Sequence, residues 1–238
     1  MTRDRMPRDR PRRGRALVIG VSGPDGAGKT RLAASLAARL EAEGRAVATV
    51  HPYGCVVCRR LPDSLRTEPA EANGRRSHRL IGIRRALHVV HGLVDAAELA
   101  LRLRGVRHDA GRGPDGGPEP VVVLADRSAL DGLVKFRPRR GALLERVFRR
   151  LARGFDAILL LEATPTTLAS RDGEHSPRIL GLLSERFDRA AAGLSPVIRI
   201  DAERPFEAVL QDGTAAIDGL IHAPDPVEAE CRRSGSSG

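Results

Sequence analysis

The chain has 238 residues, of which 41% are hydrophobic, enough for one α/β domain with a real core. Aromatics make up only 3%, with no Trp and a single Tyr (Tyr53), so platforms for stacking bases are not available and nucleic acid is disfavoured as a partner. The net charge is +10, no apolar run reaches the ~18 residues of a membrane span, and three Cys do not make a disulfide framework; the expectation is a soluble cytoplasmic protein with no membrane partner.

Met1 to Arg15 carries seven Arg and two Asp and reads as a basic, disordered arm. Ala16–Val21 (ALVIGV) is a buried-strand run. Lys29–Glu43 predicts a helix, because Leu32, Leu36 and Leu40 fall on one face and Gly44 stops it. Ala46–Val50 is a second strand, and residues 77–104 are mostly helical. Gly105–Pro118, rich in Gly and Pro, reads as a flexible loop. Val121–Ala125 is an all-apolar third strand, as expected of a parallel strand covered on both faces. There follow a helix over Gly141–Arg153, a strand over Ala157–Leu161, helices over Pro165–Arg171 and Pro177–Ala192, a strand over Val197–Ile200 and a helix over Pro205–Ile221 interrupted by Gly213. Residues 223–238 read as a disordered tail. Strands alternating with helices imply α/β architecture over residues 16–222: a five-stranded parallel sheet with helices on both faces, a P-loop three-layer sandwich.

Gly23-Pro24-Asp25-Gly26-Ala27-Gly28-Lys29-Thr30 matches G-x-x-x-x-G-K-[ST] between a strand and a helix, the context that confirms a P-loop. Its glycines let backbone N–H groups turn inward around an anion, and the N-terminus of the following helix adds a positive dipole end. Of 40 cationic residues 38 are Arg, so Lys29, one of two Lys, marks a place where a flexible point charge is wanted. Lys29 is positioned to reach the β- and γ-phosphates of ATP, the Thr30 hydroxyl to ligate Mg2+, and Arg31 to border the nucleotide. Asp126 ends the VVVLAD run, where a second Mg2+ anchor or a helix cap is expected; Arg127 beside it binds a phosphate or pairs with a surface carboxylate.

These segments resemble the thymidylate kinase-like family of nucleoside and nucleotide kinases. Ser22–Thr30 looks like its P-loop, including an acid at Asp25, and Ala125–Phe136 looks like its Asp-Arg segment with a further acid, Asp131. Phe155–Arg171 resembles the fourth strand leading to the lid, and Ser184–Ala191 and Val197–Val209 resemble its closing elements. The resemblance implies an ATP- and Mg2+-dependent kinase acting on a small phosphate acceptor, with a nucleoside monophosphate or nucleoside as the acceptor class. It implies that Lys29, Arg127 and Arg171 hold the transferring phosphoryl group, with Arg178 a second candidate in a lid over about 171–178. Asp25 and Asp131 would face the acceptor. His51-Pro52-Tyr53 stands where thymidylate kinases carry an Arg-Glu-Pro segment, which puts His51 and Tyr53 at the acceptor site, and a homodimer is compatible with the family.

His51-x3-Cys55-x2-Cys58 has metal-ligand spacing, with His78 or Asp63 as a further donor; plain thiols and a redox pair are the alternatives. A reading of another class also stands: a nucleotide-dependent switch or adaptor with weak ATPase activity.

Overall fold

The computed structural model describes residues 16–51, 78–110, 121–194 and 196–222, with backbone only for 78–85, 109 and 110. The arm, Tyr53, Cys55, Cys58, Asp63, residues 111–118 of the expected loop and the tail lie outside the described residues, as does the side chain of His78.

Five strands, β1 (Leu17–Ser22), β2 (Val47–Val50), β3 (Val122–Asp126), β4 (Ala157–Glu162) and β5 (Val197–Asp201), form one sheet in the order β2-β3-β1-β4-β5. Every pairing is parallel, with Leu17 beside Val122, Ile19 beside Ala157, Val47 beside Val122 and Ile158 beside Val197. β1 is central, and all six of its residues are buried, which is why its run carries no polar alternation.

Seven helices connect the strands: α1 (Lys29–Ala42), α2 (His78–Ala110), α3 (Ala129–Phe136), α4 (Leu143–Ala152), α5 (Pro165–Asp172), α6 (Pro177–Ala191) and α7 (Phe206–His222). The alternate residues of β1 divide the core between the two sheet faces. Val18 joins Leu99, Leu130, Phe148 and Phe187, from α2, α3, α4 and α6. Ile19 and Val21 join Leu32, Leu36, Leu40, Leu168 and Ile217, from α1, α5 and α7. This is a five-stranded parallel α/β fold with helices on both faces, compatible with a three-layer sandwich.

Three expectations are corrected. The helix expected to end at residue 104 runs through Gly105 to Ala110, so the first six residues of the expected loop are helical. α3 falls where no helix was expected; Ser128 accepts from Leu130 N and Asp131 accepts from Ser128 N, a reciprocal cap that compensates for a short helix containing Gly132. Gly213 does not interrupt α7, because it sits against Leu36 and Leu32 of α1, where a side chain would crowd the two helices.

Candidate functional site

Parallel α/β sheets bind ligands beyond the carboxyl ends of their strands. β1 and β3 are adjacent there, so the glycine-rich loop after Ser22 meets the residues after Ala125. Gly23, Gly26 and Gly28 adopt φ of 149°, 81° and 89°, which side-chain-bearing residues rarely reach. Gly28 also leads into α1 without a side-chain cap, leaving the first-turn N–H groups available to an anion.

Lys29 is buried, and its Nζ donates to Pro24 O at 2.7 Å and to Asp25 Oδ1 at 3.3 Å. The Arg127 guanidinium reaches the same Asp25 oxygen at 3.4 Å. Asp25 therefore holds two of the three cations, Lys29 and Arg127 but not Arg171, that the family resemblance implies for a phosphoryl group. Arg127 has φ of 94°, a strained conformation outside glycine, fixed by its N–H donating to Val21 O at 2.9 Å.

Thr30 Oγ1 donates to Asp126 Oδ2 at 2.8 Å. The other carboxylate oxygen of Asp126 is buried and has no hydrogen-bond partner among the described residues. A hydroxyl and a carboxylate with a spare oxygen are the hard donors that Mg2+ selects, so Thr30 and Asp126 fit that ion, whose remaining positions would fall to phosphate and water. His51 is mostly exposed, with Nδ1 3.3 Å from Asp126 Oδ2, the oxygen that accepts from Thr30. That sets it beside the cation donors. No cluster of three His, Cys, Asp or Glu side chains that could hold a metal occurs among the described residues.

Asp131 is buried, and its Oδ2 accepts from Ser22 Oγ at 2.6 Å and from Ser128 N at 2.8 Å. Its other oxygen lies 3.7 Å from Arg127 Nη1. Burial pushes its pKa above the ordinary carboxylate value, and Arg127, Ser22, Ser128 and Lys29 offset this only in part. Asp131 thus joins β1 to α3 while bordering a cleft lined by Asp25 and Arg127. The S-x-x-D spacing of Ser128 and Asp131 was the sequence signal for this cap.

Two clefts flank the loop. One, of about 410 Å³, is bounded by Gly26, Gly28, Arg31, Arg171, Pro205 and Phe206. Arg31 lies over the Phe206 ring at 3.8 Å, and Arg171 Nη1 donates to Ala202 O at 2.9 Å. The other, of about 430 Å³, is bounded by Gly23, Asp25, Arg127, Asp131, Lys135 and Phe187. Lys135 Nζ donates to Asp95 Oδ2 at 2.7 Å at its edge. The expected site residues divide accordingly: Arg31 and Arg171 stand on the first side, Arg127, Asp25 and Asp131 on the second, and Lys29 in the loop between. Arg178 is exposed at the start of α6, and His175 and Asp172 pair at 2.7 Å in the turn before it. That pairing raises the pKa of His175 and lowers that of Asp172.

Lys135 and Phe206 were missed by sequence reasoning; the rarity of Lys in this chain was the available signal for the first, and nothing local marked the second. Among the described residues no helix is long and apolar enough to cross a membrane. No protein-family model matches the chain, and no curated protein is detectably similar to it.

Proposed function

We propose that this protein is a P-loop phosphotransferase, similar to the thymidylate kinase-like enzymes, that moves the γ-phosphoryl group of ATP to a nucleoside or nucleoside monophosphate. The observation that carries the reading is the pair of clefts sharing one glycine-rich loop. A nucleotide switch needs one ligand site at such a loop, whereas group transfer needs a donor and an acceptor on either side of it.

The cleft with Arg31, Arg171 and Phe206 takes the nucleoside end of ATP, and its phosphates run along the loop N–H groups towards Lys29. Thr30 and Asp126 would hold Mg2+, which would supply neutralisation of phosphate charge when bound. An oxygen of the acceptor in the second cleft, a hydroxyl of a nucleoside or a phosphate oxygen of a nucleoside monophosphate, forms a bond to the γ-phosphorus while the bond to the β–γ bridging oxygen breaks. ADP leaves, and a hydroxyl acceptor gives its proton to solvent. Lys29 and Arg127 exchange Asp25 for the phosphoryl oxygens, placing two cations where charge gathers in the transition state. Arg171 serves the donor side in this arrangement, through its anchorage on Ala202 O.

The test is 31P NMR of the protein with MgATP and a pooled panel of nucleosides and nucleoside monophosphates, beside Lys29→Ala. A new phosphorylated product that the variant does not form is the expected result. Tight ATP binding with no transfer to any acceptor would overturn the proposal and leave the nucleotide switch.

A further inference from the structure

Two residues that line the second cleft, Val134 of α3 and Arg186 of α6, also line a third cleft of about 450 Å³. Both clefts lie along the groove between these helices. Leu183 and Phe187 face the second, Leu182, Arg189 and Ala190 the third. Arg186 is three or four residues from members of each set, so it stands on the strip of α6 where the clefts adjoin. The third cleft leads away from the glycine-rich loop, towards Arg137 at the C-terminal end of α3 and Arg149 of α4.

This far cleft is cationic. Arg137, Arg149, Arg186 and Arg189 line it with one acid, Glu145. Glu145 accepts from Arg149 Nε at 2.9 Å and from Gly141 N, bonds that hold its pKa below the ordinary value. It is therefore charged and answers Arg149. Arg189 meets Glu185 at 3.4 Å in a pair so exposed that water screens it. Arg186 is half-buried and has neither a hydrogen bond nor an ion pair among the described residues. Arginine beside a cleft is common in this chain, and elsewhere it is tied down: Arg171 on Ala202 O, Arg204 on Asp212, Arg107 on Gly154 O and Arg31 over the Phe206 ring.

Drawing a guanidinium part-way out of water with no counter-charge is costly. An uncharged base laid over Arg186 would remove more water and supply no charge. The third cleft also lacks a surface for stacking a base, since Leu133, Val134, Pro138, Leu182 and Ala190 make up its apolar lining. An anion satisfies Arg186, and three cations, Arg137, Arg186 and Arg189, match the double charge of a phosphate better than the single charge of a carboxylate.

We infer that the acceptor carries a phosphate at the end remote from its accepting oxygen, and that Arg186 binds this phosphate in the third cleft. The inference rests on the phosphotransferase reading, which places the reacting end beside Arg127. It narrows the acceptor class to nucleosides and nucleotides with a phosphate on the far side of the sugar.

Calorimetric titration of the full chain, with Mg2+ and a non-hydrolysable ATP analogue filling the loop, tests this. Nucleoside 5′-monophosphates are compared with the matching 3′,5′-bisphosphates for the four common bases. For the base that binds best, the bisphosphate should bind about tenfold tighter. Arg186→Gln should remove that difference, Arg186→Lys should keep part of it, and added salt should shrink it. A bisphosphate no tighter than its monophosphate overturns the inference, as does a difference that survives Arg186→Gln, or a folded wild type that binds neither. Absent transfer in the 31P NMR assay with the bisphosphate preference intact would instead remove the phosphotransferase reading and keep the phosphate site.

Discussion

Ser22 Oγ and Asp131 Oδ2 lie 2.6 Å apart, joining the last residue of the central strand to the first turn of α3. The bond is buried and closes the corner from which both the glycine-rich loop and Arg127 depart. Asp131 is therefore the group through which pH reaches the frame of the site.

Its pKa is raised by burial from 3.8. For an acid raised on folding, the stabilising contribution is complete below the unfolded value and is lost as pH climbs through the folded value. Asp131→Asn keeps the shape and cannot ionise. Urea unfolding followed from below the unfolded carboxylate value up into the alkaline range should show the wild type losing stability relative to Asp131→Asn as pH rises. Parallel pH profiles would remove Asp131 from this role.

Thr30 and Asp126 should act as one unit. Thr30→Val and Asp126→Asn should each weaken ATP binding by about tenfold in the presence of Mg2+, and the double variant by little more, a coupling of about 1–2 kcal/mol. Calorimetric titration with and without Mg2+ checks this. Equal losses in the absence of Mg2+ would show that the pair supports only the loop.

Arg127 sets stability against function. Its φ of 94° suits glycine, so Arg127→Gly should relieve roughly 1 kcal/mol of backbone strain. The gain should be clearest at acidic pH, where Asp131 is neutral and no longer draws on the guanidinium. Phosphoryl transfer should fall by tenfold or more at the same time. Thermal unfolding and transfer assays on one preparation test both; a variant less stable than wild type in acid would contradict the strain argument.

Gly132 of α3 packs directly against the Phe148 ring, where an added Cβ would lie within 2.6 Å of its Cδ1. Gly132→Ala should destabilise the fold by about 2 kcal/mol in urea unfolding, and Phe148→Leu in the same chain should recover part of that loss. Strict additivity would mean that the two residues are not in contact.

Most of the sheet was legible in the sequence because buried parallel strands are written as uninterrupted apolar runs: LVIGVS and VVLAD are shifted by one residue from their expected bounds, and AILLLE is longer by one residue at its C-terminal end. The loop was legible because its glycines and Lys29 are demanded by backbone geometry and charge. α3 was not, because its eight residues include Gly132 and Val134, poor helix formers that tertiary packing overrides. The same override carries α2 through Gly105. Cleft membership was the least legible of all. Arg171 and Arg127 look alike in sequence, and only the positions of β5 and β3 on opposite sides of β1 assign them to different clefts.

Gly26 has no room for a side chain, because an added Cβ would run into the backbone carbonyl of Leu168 and lie close to Asp172 Cβ. The glycine-rich loop thus packs closely on α5 at Leu168 and Asp172, a fit that depends on the absence of a side chain at Gly26. If the proposed lid closes by a hinge at Gly173, whose φ of 74° ends α5, the moving part includes Arg178 and leaves Arg171 in place.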